Sequence, residues 1–342
     1  MNETTGHVGL MDLHNLSSIS GNGTTGILDI PKPINTAINI LTITILLITM
    51  ISLGCTMEIS KIRAHLLKPK GVAIALVAQF CIMPLTAFSL AKILQLHPVK
   101  AITVLICGCC PGGSLSNIFS LIVKGDMNLS IVMTTCSSIA ALGLMPLLLY
   151  IFSQGFTGLE NAVPYVGIIT ALISTLVPCA IGILINHYKP NYSAAVTQIG
   201  LIIMMLTTIA ASVVAGIAVK DVIWMIFMPD VVSVAVLMPL IGFTLGYVMS
   251  VICRLSPKCS RTISMETGCQ NIQLCIAILK VTFSPQVIGP MFLFPLLYIM
   301  FQCAEALLLA LCFRLYHKVK TPAGDTGSHK HVAVTQEEVK EP

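Results

Sequence analysis

The sequence predicts an all-α polytopic membrane protein with nine transmembrane helices. Two features of composition lead there. Of 342 residues, 56% are hydrophobic and only 10% are Asp, Glu, Lys or Arg. An ordinary soluble domain carries roughly 25% charged residues, so this chain cannot cover a soluble fold with a charged shell. The third observation is spatial: a window of about 19 residues finds nine apolar stretches, each near the roughly 20 residues that cross about 30 Å of hydrocarbon as a helix. Soluble enzymes, nucleic-acid binders and disordered proteins are therefore excluded as classes. The net charge of +5 is spread over short loops and builds no polyanion-binding face.

The elements follow in order. Residues 1–33 are polar, lack the basic start and apolar core of a signal peptide, and carry three glycosylation sequons at Asn2, Asn15 and Asn22. They read as a glycosylated extracellular tail. The apolar stretches then lie at 34–53, 71–93, 101–123, 127–152, 163–185, 194–219, 231–253, 264–283 and 287–313. Together, residues 34–318 are expected to form one transporter domain. Residues 319–342 are polar and charged and are expected to be a disordered cytoplasmic tail.

Nine spans put the two termini on opposite sides of the bilayer. With the N-terminus outside, fourteen Lys and Arg fall on the inner side and five on the outer side, as the positive-inside rule requires. The sequon-bearing tail gives the same orientation. Most of the thirteen cysteines sit inside apolar runs, where they act as small hydrophobes. The run Cys107-Gly-Cys-Cys110 has neither the spacing nor the histidines of a zinc site.

Two spans carry chemistry. The third contains Pro111-Gly112-Gly113 near its middle, followed by Ser114-Leu-Ser116-Asn117. Pro-Gly-Gly cannot continue a regular helix, and Ser or Asn is a good N-cap for a second half. Backbone groups freed by such a break survive at membrane depth only where protein, water or ions satisfy them. Taken alone, the motif also fits a packing kink. The eighth span contains Glu266-Thr-Gly-Cys-Gln270-Asn271-Ile-Gln273 within an apolar run. A carboxylate at that depth is costly and points to function; Arg261, five residues earlier, leaves open that Glu266 lies at the aqueous edge.

Position strengthens both signals. Spans one to four and six to nine form two oppositely oriented groups, and the interrupted span is third in each. Matching interruptions in inverted halves are the sequence pointer to a secondary transporter with inverted four-helix repeats. Ser116, Asn117, Glu266 and Gln270 offer neutral and anionic oxygens without histidine, which suits a hard monovalent cation: Na⁺ or H⁺, with Na⁺ preferred for the many neutral oxygens. Gln79, before Pro84, could add an amide oxygen or make a structural hydrogen bond. Ser130 and Thr134 share a helix face, where back-bonding to helix carbonyls is the ordinary explanation. Glu305 is a second intramembrane carboxylate, read as proton-carrying or structural.

At these stretches the chain resembles the sodium/bile acid cotransporter family. The resemblance lies in residues 107–117, in Lys124-Gly-Asp-Met-Asn-Leu-Ser-Ile-Val-Met-Thr-Thr-Cys136 and in residues 264–275. It extends to Leu53-Gly-Cys-Thr-Met-Glu58, Gln79 and Ile82-Met-Pro-Leu-Thr-Ala87, and covers roughly residues 30–318. Residues 124–130 are more like the liver form than the ileal one, which implies the basolateral plasma membrane of hepatocytes. The resemblance implies a core of spans two, three, four, seven, eight and nine moving against a panel of one, five and six, with the broken helices crossing. It implies two sodium sites. One uses Ser116, Asn117, Ser130, Thr134 and Glu266; the other uses Gln79, Gln270 and Glu266 with backbone oxygens near Thr267 and Cys269. Ile276 departs from the family, which usually carries a small polar residue there.

The function expected on these grounds is sodium-driven import of conjugated bile acids by alternating access, without catalysis. Asn117, Asn271 and Ile276 are the candidates for touching the steroidal anion. Sulfated steroids as cargo, or a non-transporting membrane receptor, are the competing readings.

Overall fold

The computed structural model describes residues 44, 47–57, 70–156, 165–200, 202–203, 206, 228–283 and 294–320, and every structural statement below concerns these. The 1–33 tail with its sequons at Asn2, Asn15 and Asn22, most of the first and sixth spans and most of 319–342 lie outside them. The described residues are helical almost throughout, with no strand and a single isolated β-bridge, between Gly112 and Gln270.

In chain order the helices are α1 (47–55), α2 (Lys70–Ile93), α3 (Pro98–Cys109), α4 (Ser114–Ile122), α5 (Met127–Ser153) and α6 (Tyr165–Tyr188). They continue as α7 (190–200), α8 (Pro229–Ile252), α9 (Pro257–Gly268), α10 (Ile272–Thr282) and α11 (Phe294–Lys320). Five of them, α2, α5, α6, α8 and α11, are individually long and apolar enough to cross a membrane. The chain is a polytopic helical membrane protein.

Local chemistry explains the boundaries. Pro98, Pro229 and Pro257 each sit in the first turn of a helix, where a missing N–H leaves nothing unsatisfied. Asp126 accepts the Leu129 N–H at 3.0 Å to start α5, and Ser256 accepts the Cys259 N–H at 3.3 Å to start α9. Two expectations are thereby revised. The eighth span begins at Pro257 and not at 264, because the cap and not the apolar run starts the helix. The ninth continues past 313 to Lys320, since terminal Arg and Lys do not stop a helix. In α2 a π-turn over Ala78–Ile82 precedes Pro84. It widens the helix just where the proline ring would meet the carbonyl of residue 80, and it contains Gln79.

The outer faces are apolar. On α6, Val166, Ile169, Ile173, Val177, Ile181 and Leu184 are exposed at intervals of three or four residues, a stripe suited to lipid. The end of α1 is tied to α6 and α7 by polar contacts: Asn186 donates to the Met57 carbonyl at 2.9 Å and Ser193 to that of Cys55 at 2.7 Å. The main core draws buried side chains from α2 to α6 and from α8 to α11, including both interrupted pairs, α3/α4 and α9/α10, and Ile168, Ala171 and Leu172 of α6. All thirteen cysteines are free thiols, and Cys107, Cys109, Cys110, Cys269 and Cys275 are buried in this core.

Candidate functional site

The two breaks meet. The Gly113 N–H donates to the Cys269 carbonyl at 3.0 Å and the Asn271 N–H to the Pro111 carbonyl at 2.9 Å, one antiparallel bridge between the interruptions. Backbone groups freed by one broken helix are therefore satisfied largely by the other. Glycine is required here. A Cβ on Gly113 would lie 2.7 Å from the Gln270 carbonyl oxygen, and one on Gly112 would lie 2.8 Å from Glu266 Cδ.

The second halves start differently. The Asn271 side chain caps α10 by accepting the Leu274 N–H at 3.1 Å. At α4 the N-cap is Gly113, with no side-chain cap, where the sequence suggested Ser or Asn. The serine there is committed elsewhere: Ser116 Oγ lies 2.7 Å from the Gly113 carbonyl oxygen and 2.5 Å from Glu266 Oε2.

Glu266 is buried, with 1% of its surface exposed, so it does not lie at the aqueous edge. Its carboxylate collects hydroxyls from two other helices. Ser116 of α4 donates to Oε2 and Thr134 of α5 to Oε1, the latter at 2.7 Å. Asn117 Oδ1 accepts from Ser130 Oγ at 2.7 Å and lies 3.4 Å from Thr134 Oγ1. Ser116, Asn117, Ser130, Thr134 and Glu266 thus form one linked group of buried oxygens, and no Lys or Arg is paired with Glu266 among the described residues.

Each hydroxyl has a second acceptor in reach. Ser116 can turn to the Gly113 carbonyl, Thr134 to the Ser130 carbonyl at 3.1 Å, and Ser130 to Ser120 Oγ at 3.3 Å. The three protons can rotate outward without losing a partner, leaving oxygen lone pairs facing inward. That is what a small hard cation requires of a donor set.

Gln79, Thr267 and Gln270 form a neighbouring group. Gln79 Nε2 donates to Gln270 Oε1 at 2.9 Å and to the Cys110 carbonyl at 2.8 Å, while Gln270 Nε2 donates to the Thr267 carbonyl at 3.2 Å. Gln79 Oε1 is buried with no hydrogen-bond partner, an oxygen with spare capacity for a cation. The carbonyls of Thr267 and Cys269 each already accept one N–H and retain a second lone pair.

The substrate candidates separate. A narrow crevice with room for about one water molecule is lined by Pro111, Ser138, Asn271 and Leu274 on one side and by Met50, Leu53, Leu172 and Thr175 on the other. Asn271 reaches it; with its oxygen used as a cap, its NH₂ remains as a donor. Asn117 points its oxygen into the hydroxyl cluster. Ile276 packs half-buried against the core and is not part of the crevice lining. Gln302 of α11, which the sequence did not single out, accepts the Gln270 N–H at 3.1 Å. Its only signal was one amide in an apolar span. Glu305, one turn further on, has both carboxylate oxygens buried without a hydrogen-bond partner.

Comparison with known proteins agrees with this architecture. Residues 43–223 match the model of the Sodium Bile acid symporter family. The chain is 52% identical over 310 residues to the hepatic sodium/bile acid cotransporter of Homo sapiens, covering 90% of this chain and 89% of that one. It is 53% identical over 303 residues to the Rattus norvegicus protein of the same name, covering 88% and 84%. It is 40% identical over 278 residues to the human ileal sodium/bile acid cotransporter, covering 81% and 79%. The chain belongs to the sodium bile acid symporter family.

Proposed function

We infer that this protein is a sodium-coupled secondary transporter that carries conjugated bile acids across the plasma membrane by alternating access. It is not an enzyme, as its relatives are cotransporters. The observation that carries the reading is the buried Glu266 carboxylate, unpaired with any described cation and surrounded by hydroxyls at the meeting point of two broken helices.

In this reading sodium is cargo held at two places. Ser116, Asn117, Ser130, Thr134 and Glu266 hold one ion, whose charge Glu266 neutralises while the three hydroxyls turn their protons outward. Gln79, Gln270 and Glu266 with the carbonyls of Thr267 and Cys269 hold the other. A carboxylate shared between the two ions couples their occupancies. Filling both secures the bridge between the breaks, and the arrangement with that bridge formed is the one that receives the anion.

The amphipathic anion enters at the crevice beside the bridge. No Lys or Arg is among the described residues that line the crevice. The crevice, with room here for about one water molecule, widens in the arrangement that receives the anion; the anion's polar groups then meet the Asn271 NH₂ and the positive N-terminal ends of α4 and α10, and the apolar walls take the steroid skeleton. More than one Na⁺ per monovalent anion carries net positive charge inward, worth about 2.3 kcal/mol per charge per 100 mV. The N-terminus is extracellular, with Asn2, Asn15 and Asn22 glycosylated, the C-terminus is cytoplasmic, and the basolateral hepatocyte membrane is the site of action.

A second cargo class, sulfated steroids, is kept because the chain is 40% identical over 272 residues to a human protein named a sodium-dependent organic anion transporter, covering 79% of this chain and 71% of that one, and a steroid sulfate is one such anion. Uptake of labelled taurocholate and of a labelled steroid sulfate, in sodium medium against choline medium, tests both readings. Sodium-dependent accumulation of taurocholate is the expected result. Accumulation of the sulfate alone overturns the bile acid reading, and uptake of both indifferent to sodium overturns the transporter reading in favour of a receptor.

A further inference from the structure

The break between α9 and α10 leaves three consecutive backbone N–H groups to be satisfied at membrane depth, and each is met from a different source. The Cys269 N–H bonds back to the Met265 carbonyl at 3.1 Å, within its own helix. The Asn271 N–H crosses to the Pro111 carbonyl of the other break. The middle one, of Gln270, is accepted by Gln302 Oε1 of α11 at 3.1 Å.

The peptide unit joining Cys269 to Gln270 is planar, so its carbonyl and N–H point in opposite directions from one rigid plate. The carbonyl end is held by the Gly113 N–H at 3.0 Å. The N–H end is held by Gln302. These two bonds from separate helices fix the plate's rotation, and with it the aim of the Cys269 carbonyl and the root of the Gln270 side chain.

Gln302 is fully buried and gives up its other end to do this: its Nε2 has no hydrogen-bond partner. Turning the amide round would set two donors against each other at Gln270, so the N–H of the break dictates the orientation. A side chain present only to pack would satisfy neither end better than a leucine.

We propose that Gln302 is a positioning residue for sodium binding, acting through the Cys269–Gln270 peptide. This rests on the sodium-site reading above. Without the Gln302 oxygen the plate turns to seek another acceptor. The Cys269 carbonyl, and the Gln270 side chain that accepts from Gln79 at 2.9 Å, then lose their present aim.

The test measures the sodium concentration giving half-maximal taurocholate uptake, together with maximal uptake and surface abundance, in Gln302→Leu and Gln302→Glu. Leucine keeps the volume and removes the acceptor. It is expected to raise the half-maximal sodium concentration about tenfold, with maximal uptake per surface molecule largely restored at high sodium. Glutamate keeps an oxygen at the same reach and is expected to recover most of that loss. An unchanged sodium requirement in the leucine variant, or an equal shift in both variants, overturns the proposal.

If the leucine variant fails to reach the surface, the rise in Tm with sodium concentration is measured on detergent-purified protein and read the same way. Glu266→Gln, run in parallel, separates the two levels. Sodium-coupled uptake surviving in Glu266→Gln defeats the sodium-site reading itself. Its loss there, with Gln302→Leu unchanged, defeats only the role of Gln302.

Discussion

The N–H of Gly113 points at the carbonyl oxygen of Cys269, 3.0 Å away, across two helices that both stop to let this contact form. A side chain at either glycine of the first break would disturb it. On Gly113 a methyl would lie 2.7 Å from the Gln270 oxygen, and on Gly112 it would overlap the Glu266 carboxylate, with Cδ at 2.8 Å.

Gly112→Ala and Gly113→Ala are therefore each expected to cut sodium-dependent taurocholate uptake at least about tenfold, since the neighbours in the way are backbone and a buried carboxylate with no room to retreat. Gly143→Ala is the matched control. It sits mid-helix in α5 with nothing within 4 Å of the added methyl, and uptake near wild type is expected. Uptake corrected for surface abundance decides; activity retained at both Gly112 and Gly113 would contradict the crossing geometry.

The hydroxyls around Glu266 should differ from the carboxylate in kind. Glu266→Gln keeps size but removes the charge that would balance a sodium ion in the proposed site, and coupled uptake is expected to vanish with protein still at the surface. Ser116→Ala and Thr134→Val each remove one neutral oxygen of several. Each is expected to raise the half-maximal sodium concentration by roughly five- to thirty-fold, equivalent to about 1–2 kcal/mol, with uptake recovering at high sodium. Sodium titrations of all three variants check this. A sodium requirement unmoved in both hydroxyl variants would remove them from the ion's surroundings.

Much of this site was legible in the sequence because membranes punish polar atoms. Glu266, Gln270 and the Pro111–Gly113 interruption stand out against apolar runs, and their partners Ser130 and Thr134 fall on one helical face. What was not legible depends on atoms that every residue has. The π-turn holding Gln79 and the backbone bridge joining the breaks are main-chain events with no composition of their own. The start of α9 at Pro257 was missed because hydropathy registers the bilayer while a helix answers to its cap. Gln302 was missed because a lone amide carries no pattern until its partner is known.

Gly242 and Gly246 of α8, four residues apart, also escaped notice, and they let that helix lie directly on α9. A Cβ on Gly246 would lie 2.8 Å from Thr267 Oγ1, and one on Gly242 would lie 3.0 Å from the Gly268 Cα. Small residues at this spacing allow close helix contact in a membrane. Gly246→Leu is expected to push Thr267 and its carbonyl away, with a sharp loss of sodium-dependent uptake and a lowered Tm. Gly246→Ala should do the same more weakly. Thermal unfolding in detergent alongside uptake tests the order, and a leucine variant as stable and active as wild type would refute the tight contact.

One charged contact should matter little, and the reason is exposure. Lys100 Nζ lies 2.6 Å from Asp230 Oδ2, joining the first turns of α3 and α8, with the side chains 21% and 30% exposed. Ion pairs open to water recover about 0–1 kcal/mol, because the Coulomb attraction is screened and two long side chains lose freedom. Asp230 has a second role that Lys100 lacks: its Oδ1 accepts the Val231 N–H at 2.9 Å in the positive first turn of α8, worth about 0.3–1 kcal/mol. Asp230→Ala is therefore expected to lower Tm more than Lys100→Met, each by no more than a few degrees. The double variant should fall close to the sum of the two. Raising salt should shrink the small coupling that remains, since screening acts on the pair and much less on the hydrogen bond to Val231. A coupling above about 2 kcal/mol, or Lys100→Met as damaging as Asp230→Ala, would mean that this pair holds the two helices together in a way its exposure does not allow.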